Sequence, residues 1–304
     1  MKLVLNIAKT NVVINFTDQT DKARLLCTRF FRGFIKSDKR LNAEAELSVL
    51  RRPVNRRYIK KIAGGRVFEK LIPVQDIAEW LKDIHGHRID FPLNEKTICS
   101  FCLNGLLLFD TKTSAGRIYL LKEGDGFSQP LYRLIWIYLS QVLGERRGCF
   151  IHAAALVKDG KGHLFIGDSG SGKSSIAREL GQEYQVFSDD SPILCSENGK
   201  QRLYPSPYHQ MDPSNGLDEK VLKMSAEIRG FYFLVKDKKV FLDRVSRQET
   251  FSMILMKYIH FFHYLSTKAK TSLFDLFFDA CYKLPAYYLH FQLDKDLWKV
   301  INTK

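Results

Sequence analysis

An α/β fold in the second half of the chain, preceded by an α+β half, is what this sequence predicts. Three features carry that reading. Strand-like segments at 149–157 and 163–166 run straight into a glycine-rich loop. A helix pattern follows at 173–180, and strand and helix patterns keep alternating to the end. The first half instead offers short strands in pairs, with few helices between them.

The elements follow in order. Residues 2–8 and 11–16 alternate apolar and polar and read as two strands. Residues 18–34 suit a helix, and at 74–84 Ile77, Trp80, Leu81 and Ile84 share one helical face. Asn104-Gly105 between two apolar runs is a hairpin signal, and 116–122 reads as a further strand. Ser128 can cap a helix that begins near Pro130 and stops at Gly144, with Leu131, Leu134, Ile135, Tyr138, Leu139 and Val142 at helical spacing. Past the loop, the helix at 173–180 closes at Gly181. Residues 230–235 and 239–242 read as a hairpin. Ser246-Arg247-Gln248-Glu249 is a capping box opening one long helix through Tyr264. A strand at 287–293 and a helix at 294–301 end the chain.

The 304 residues suit two domains better than one. The expected division is an N-terminal domain over 1–128, a linking helix and loop over 129–148, and a second domain over 149–304. With 45% hydrophobic and 26% charged residues, the composition is that of a globular protein. No apolar run reaches membrane-spanning length, and Met1-Lys2-Leu3-Val4-Leu5-Asn6 turns polar too soon for a secretion signal. A cytoplasmic protein without a membrane partner is therefore expected. In that setting Cys27, Cys99, Cys102, Cys149, Cys195 and Cys281 are read as reduced thiols. Cys99 and Cys102 form a CxxC, but no second pair completes a zinc site.

The net charge is +14, and much of the excess lies at 22–70, partly as the pairs Arg51-Arg52, Arg56-Arg57 and Lys60-Lys61. Such a stretch can attract an acidic peptide, nucleic acid or an anionic surface, or it can be a solvated face. No segment matches a recognised DNA- or RNA-binding motif, so a nucleic-acid partner is not expected.

The most informative segment is Gly167-Asp168-Ser169-Gly170-Ser171-Gly172-Lys173-Ser174, which fits GxxxxGK[ST] and is followed by Ser175. Glycines permit the positive φ angles of a tight loop and let its amides approach phosphate oxygens. The following helix turns its positive end to the same anion. Residues 167–175 are thus expected to bind ATP, with Lys173 on the β- and γ-phosphates and the Ser174 hydroxyl on Mg²⁺. Shortly after come Ser188-Asp189-Asp190 at the end of a strand-like run. Paired carboxylates there could hold the metal and take a proton from an attacking hydroxyl.

These features together resemble the catalytic domain of the HPr kinase/phosphorylase family, which shares its nucleotide fold with ATP-dependent phosphoenolpyruvate carboxykinase. The matching features, in order, are His152 on a hairpin strand leading into the loop, the loop, the Ser188-Asp189-Asp190 group, and Ala226-Glu227-Ile228-Arg229-Gly230 opening a later strand. The ending Leu284-Pro285-Ala286-Tyr287-Tyr288-Leu289, with Trp298 beyond, is similar to HPr-kinase-like proteins as well. The likeness runs from about Cys149 to the end. It implies a P-loop domain with a mixed sheet, Ser174 and Asp189 on Mg²⁺, and Asp190 as the base. It also implies His152 and Lys173 at the transferred phosphate and Glu227 near the metal. The first half does not resemble the N-terminal domain of those enzymes, so HPr as acceptor and the reverse, phosphorylase reaction are not implied.

The expected activity is transfer of the γ-phosphate of ATP to a hydroxyl, with serine of an acidic peptide or protein as the leading acceptor and a ribosomal peptide precursor among the candidates. A small-molecule kinase acting on free serine and a non-catalytic nucleotide-binding regulator are the alternatives. A homo-oligomer is left open.

Overall fold

The structure, a computed structural model, describes residues 2–17, 20–36, 42–51, 69–71, 97–102, 105–120, 128–181, 183–208, 219–292 and 297–302. The helix read at 74–84, the turn residue Asn104 and the basic residues Arg52, Arg56, Arg57, Lys60 and Lys61 lie outside them. The backbone divides into two compact units, Met1–Val142 with His263–Lys268, and Leu143–Phe262 with Ala269–Lys304. Each is built on a sheet, and the fold is mixed α/β.

In the first unit the strands are β1 Lys2–Ile7, β2 Thr10–Phe16, β3 Ala45–Arg51, β4 Glu69–Leu71, β5 Thr97–Cys102, β6 Gly105–Asp110 and β7 Ala115–Leu120. Among the described residues they lie in the order β1-β2-β3-β7-β6-β5-β4. The helix expected at 18–34 is Asp21–Phe30 followed by a 3-10 turn, Arg32–Phe34. The helix Ser128–Gly144 buries Leu131, Leu134, Ile135, Tyr138 and Leu139, the face its spacing predicts. Tyr138 hydroxyl donates to Ser114 O at 3.1 Å, and its ring occupies the space a side chain at Gly116 would need.

The second unit carries β8 Gly148–Phe150, β9 Ala153–Lys158, β10 Lys161–Ile166, β11 Gln185–Ser188, β12 Ile193–Glu197, β13 Lys200–Tyr204, β14 Ala226–Lys236, β15 Phe241–Arg244 and β16 Ala286–Phe291. The main order is β11-β9-β10-β14-β13-β12-β8, with β16 on β14 and β15 on β16. The sheet is mixed: β10–β14 and β14–β16 are parallel, whereas β9 runs antiparallel to both β10 and β11. β10 is buried on both faces, with Leu164, Phe165 and Ile166 all inaccessible, as a central strand demands.

Three local readings are corrected here. The expected strand at 149–157 is two strands, because the chain changes partners at Ile151-His152: β8 pairs with β12 and β9 with β10 and β11. The expected hairpin at 230–242 does not form. β16, some forty residues further on, lies between β14 and β15, which pair with it and not with each other. The long helix through Tyr264 is Arg247–Met253, capped by Ser246, whose hydroxyl accepts from Glu249 N at 3.2 Å. Ile254–Tyr258 then widens to a π-helix and the chain leaves the helix at Ile259, which bridges Ile151.

The core on one face of this sheet joins Leu156, Phe165, Tyr232, Tyr287, Leu289 and Phe291 to Ile176, Ala177 and Leu180 of the helix Lys173–Leu180. The rings of Phe165, Tyr232 and Tyr287 stack across three adjacent strands at 5.5 and 5.9 Å. Burial of each large side chain is worth about 1.5–3 kcal/mol. That packing fixes the helix, and with it the loop that precedes it.

Candidate active site

Strand register brings His152, the glycine-rich loop and the Asp189-Asp190 pair to one end of the second sheet. β9 lies between β10 and β11 and antiparallel to both. Its first residue, Ala153, pairs with Ile166, the last residue of β10 before the loop. His152 therefore stands beside the loop. β11 finishes at the same end, where Ala153 N donates to Asp190 O at 3.0 Å.

The loop is built as its glycines require. Gly170 and Gly172 have φ of +79° and +109°, which side chains rarely adopt. A Cβ at Gly172 would also meet the Phe291 ring at 3.0 Å. Lys173 begins the helix Lys173–Leu180 and is buried. Its amino group donates to Gly167 O at 2.6 Å and to Asp168 O at 3.0 Å, and lies 3.1 Å from His152 Nε2. Burial pushes its pKa down, while the carboxylates of Asp190, Asp168 and Asp189 favour its charged form.

A protonated Lys173 has no lone pair, so at this contact His152 Nε2 accepts and the ring proton sits on Nδ1. That Nδ1 is 3.2 Å from Asp190 Oδ1, an ion-pair distance at an angle poor for a hydrogen bond. Burial works against the Asp190 charge. Contacts from His152 and Ser191, with the charge that His152 and His260 carry when protonated, outweigh it, and its pKa falls below the usual carboxylate range. The turn carrying the two acids is pinned by Ser188 Oγ, which donates to Tyr208 O at 3.2 Å and accepts from Asp190 N and Ser191 N at 3.2 and 2.9 Å. Asp189 is almost inaccessible at 1%.

Beside this group opens a cavity of about 580 Å³, lined on one side by His152, Ser169, Gly170 and residues 172–175, and on the other by residues 236–238, Phe291 and Gln292. That room, the left-handed glycines and the buried cation fit a nucleoside triphosphate. Ser174 at the helix start and the buried Asp189 offer the hard oxygen donors that Mg²⁺ takes.

Glu227 is not brought here, and that expectation is corrected. It pairs with Lys161 at the opposite end of β10, six residues or about 20 Å of strand from the loop. Its carboxylate is exposed and lies 3.3 Å from Lys161 Nζ and 3.8 Å from Lys200 Nζ. Cys99 is buried, which pushes its thiol up to about 12, the opposite of a metal-binding thiolate.

The structure also adds residues that spacing did not reveal. His260 Nε2 lies 3.1 Å from Ser191 Oγ, which donates to Asp190 Oδ2 at 2.9 Å. Lys257 Nζ reaches Asp168 Oδ2 at 2.7 Å and draws that carboxyl's pKa down, although both side chains are more than half exposed. The one sequence signal for them was that Lys257, His260 and His263 interrupt an otherwise apolar run.

Comparison with known proteins finds partial likenesses to HPr kinases. Over 75 residues the chain is 35% identical to an HPr kinase/phosphorylase of Mycoplasmopsis pulmonis (strain UAB CTIP), covering 25% of this chain and 24% of that protein. The chain thus spans about a quarter of the length of the curated relative it matches. A solved Hpr(Ser) kinase/phosphatase from Coxiella burnetii overlaps 50% of this chain and 93% of its own, at 15% identity and a TM-score of 0.30. The 75-residue match is a partial likeness to HPr kinase/phosphorylase, and the second unit is mixed α/β. More particularly, residues 131–303 match the family described as SynChlorMet cassette protein ScmC, and the chain belongs to that family.

Proposed function

We propose that this chain is a phosphotransferase that uses ATP with Mg²⁺ and transfers the γ-phosphate to a hydroxyl. The observation that carries the reading is the convergence of Lys173, His152 and Asp190 at the mouth of the glycine-rich loop. The loop amides and Lys173 would hold the β- and γ-phosphates. Mg²⁺, held by Ser174 and Asp189, would neutralise charge on those phosphates. Asp190 would take the proton of the acceptor hydroxyl as its oxygen bonds to the γ-phosphorus. The bond from that phosphorus to the β-phosphate oxygen breaks, and its electrons leave with ADP. Its depressed pKa keeps Asp190 ionised and able to accept that proton at neutral pH, as a weak base. His152 would keep Lys173 and Asp190 in register.

The acceptor we propose is serine in an acidic peptide. Membership of a family of cassette proteins supports a substrate encoded nearby. The +14 net charge, concentrated at 22–70, supports an acidic one recruited by residues 1–128, with 149–304 doing the chemistry. The test is incubation with Mg·ATP and either serine-containing acidic peptides or free serine, read by mass spectrometry. Phosphate on a peptide, with an apparent KM that rises with salt, supports the reading. Phosphate on free serine alone replaces the peptide by a small molecule, and ADP-free binding of ATP replaces the kinase by a regulator.

A further inference from the structure

We infer that His260 is a positioning residue for Asp190: acting through the Ser191 hydroxyl, it fixes which carboxylate oxygen is held and which one meets the incoming acceptor. The inference rests on the phosphotransfer reading above, in which Asp190 takes the acceptor's proton.

Ser191 Oγ lies 2.9 Å from Asp190 Oδ2 and 3.1 Å from His260 Nε2. A serine hydroxyl has a single proton, and an ionised carboxylate can only accept. The proton therefore points to Asp190, and His260 Nε2 is the donor to Ser191. The chain has one direction, from His260 through Ser191 to Asp190 Oδ2. Asp190 Oδ1 is left facing His152, a residue that lines the cavity beside the loop.

Both ends of this chain are fixed by backbone. Ser191 is inaccessible, and its amide is bound by Ser188 Oγ at 2.9 Å. His260 N donates to Phe150 O at 3.1 Å, His152 N donates to Tyr258 O at 2.7 Å, and Ile259 bridges Ile151. The His260 ring meets His152 edge-on at 5.3 Å. A histidine that merely filled the core could have stayed in a continuous helix. Here the helix widens over Ile254–Tyr258 and ends, and the backbone of Tyr258 and His260 bonds that of His152 and Phe150, with Ile259 bridging Ile151 between them. Interrupted helices of this kind recur at functional sites. The break delivers His260 to Ser191.

The substitutions separate this role from simple packing. Glutamine places an amide N–H near the position of imidazole Nε2, whereas alanine removes the donor. With Mg·ATP and a serine-containing acidic peptide, His260→Ala should lower kcat about ten- to a hundredfold, with KM for ATP changed less than about twofold. His260→Gln should recover most of that loss. Ser191→Ala should fall as far as His260→Ala, and the double variant no further, because the two act as one unit. Near-wild-type kcat in His260→Ala, a His260→Gln as poor as alanine, or multiplying losses in the double variant would each overturn the inference. A second readout needs no turnover. In ¹⁵N-histidine NMR spectra His260 should be the Nε2–H tautomer in the wild type and a tautomer mixture in Ser191→Ala. An Nδ1–H form in the wild type, or no change on removing Ser191, overturns the chain of hydrogen bonds. A wild type that transfers no phosphate would fail the phosphotransfer reading, and the tautomer would still decide this one.

Discussion

The amino group of Lys173 lies 3.1 Å from Nε2 of His152, so the loop lysine and the histidine at a strand switch are one hydrogen-bonded unit. With Gly167 O and Asp168 O as further acceptors, each ammonium proton has a partner. On the phosphotransfer reading, an arriving triphosphate exchanges these neutral acceptors for charged oxygens, and each such exchange strengthens the contact. Lys173 thus links nucleotide entry to His152, and His152 to Asp190.

The two acids should separate in their effects. Asp190→Asn keeps the shape and loses the proton acceptor, so turnover should fall about a hundredfold or more while ATP affinity holds. Asp189→Asn should instead raise the Mg²⁺ concentration needed for half-maximal turnover. Steady-state kinetics against ATP and Mg²⁺ check both, and exchanged behaviours would exchange the roles.

Asp190 also makes stability depend on acid. Its folded pKa is depressed, by the contacts and charges that outweigh burial, so its stabilising contribution is present above the unfolded value near 3.9 and is lost as pH falls through the folded one. Asp168, held down by Lys257, contributes in the same direction but is exposed and screened. Melting temperature should drop as pH falls below about 4, and less steeply in Asp190→Asn, as thermal melts across pH 2–7 would show.

Buried thiols should be inert in the native state. Burial pushes Cys27, Cys99 and Cys281 up to about 12, so at pH 8 they should alkylate about a thousandfold more slowly than an ordinary thiol. Iodoacetamide labelling read by mass spectrometry, native against urea-unfolded, checks this. Rapid native labelling of Cys99 would contradict its burial.

Glu227→Gln should leave turnover and Mg²⁺ dependence within about twofold of wild type, since its carboxylate forms exposed ion pairs with Lys161 and Lys200 at the far end of β10. A strongly raised Mg²⁺ requirement would put it back at the metal.

Legibility in the sequence followed range. The loop and its helix were readable because each residue serves a local need: glycines for φ, Lys173 and Ser174 for charge and oxygen, and Ile176, Ala177 and Leu180 for packing. The hairpin at 230–242 failed because its true partner arrives later in the chain, and no local pattern announces an inserted strand. The long helix failed because Ile259 and His260 gain tertiary partners at Ile151 and Phe150 that outweigh continued helical bonds. Resemblance alone points to His152, and its position is explained by a change of strand partner that spacing does not encode. Glu227 followed the same resemblance, but register, not motif, decides which end of a strand a residue occupies.

The central claim is that Lys173 holds a nucleotide's phosphates at this loop, and isothermal titration of the protein with ATP and Mg²⁺ tests it most directly. The account predicts one site per chain, weakened in folded Lys173→Ala by about ten- to a hundredfold, the equivalent of one charge-assisted contact of about 1.5–3 kcal/mol. No binding by the wild type, or an unchanged affinity in a folded Lys173→Ala, would contradict it.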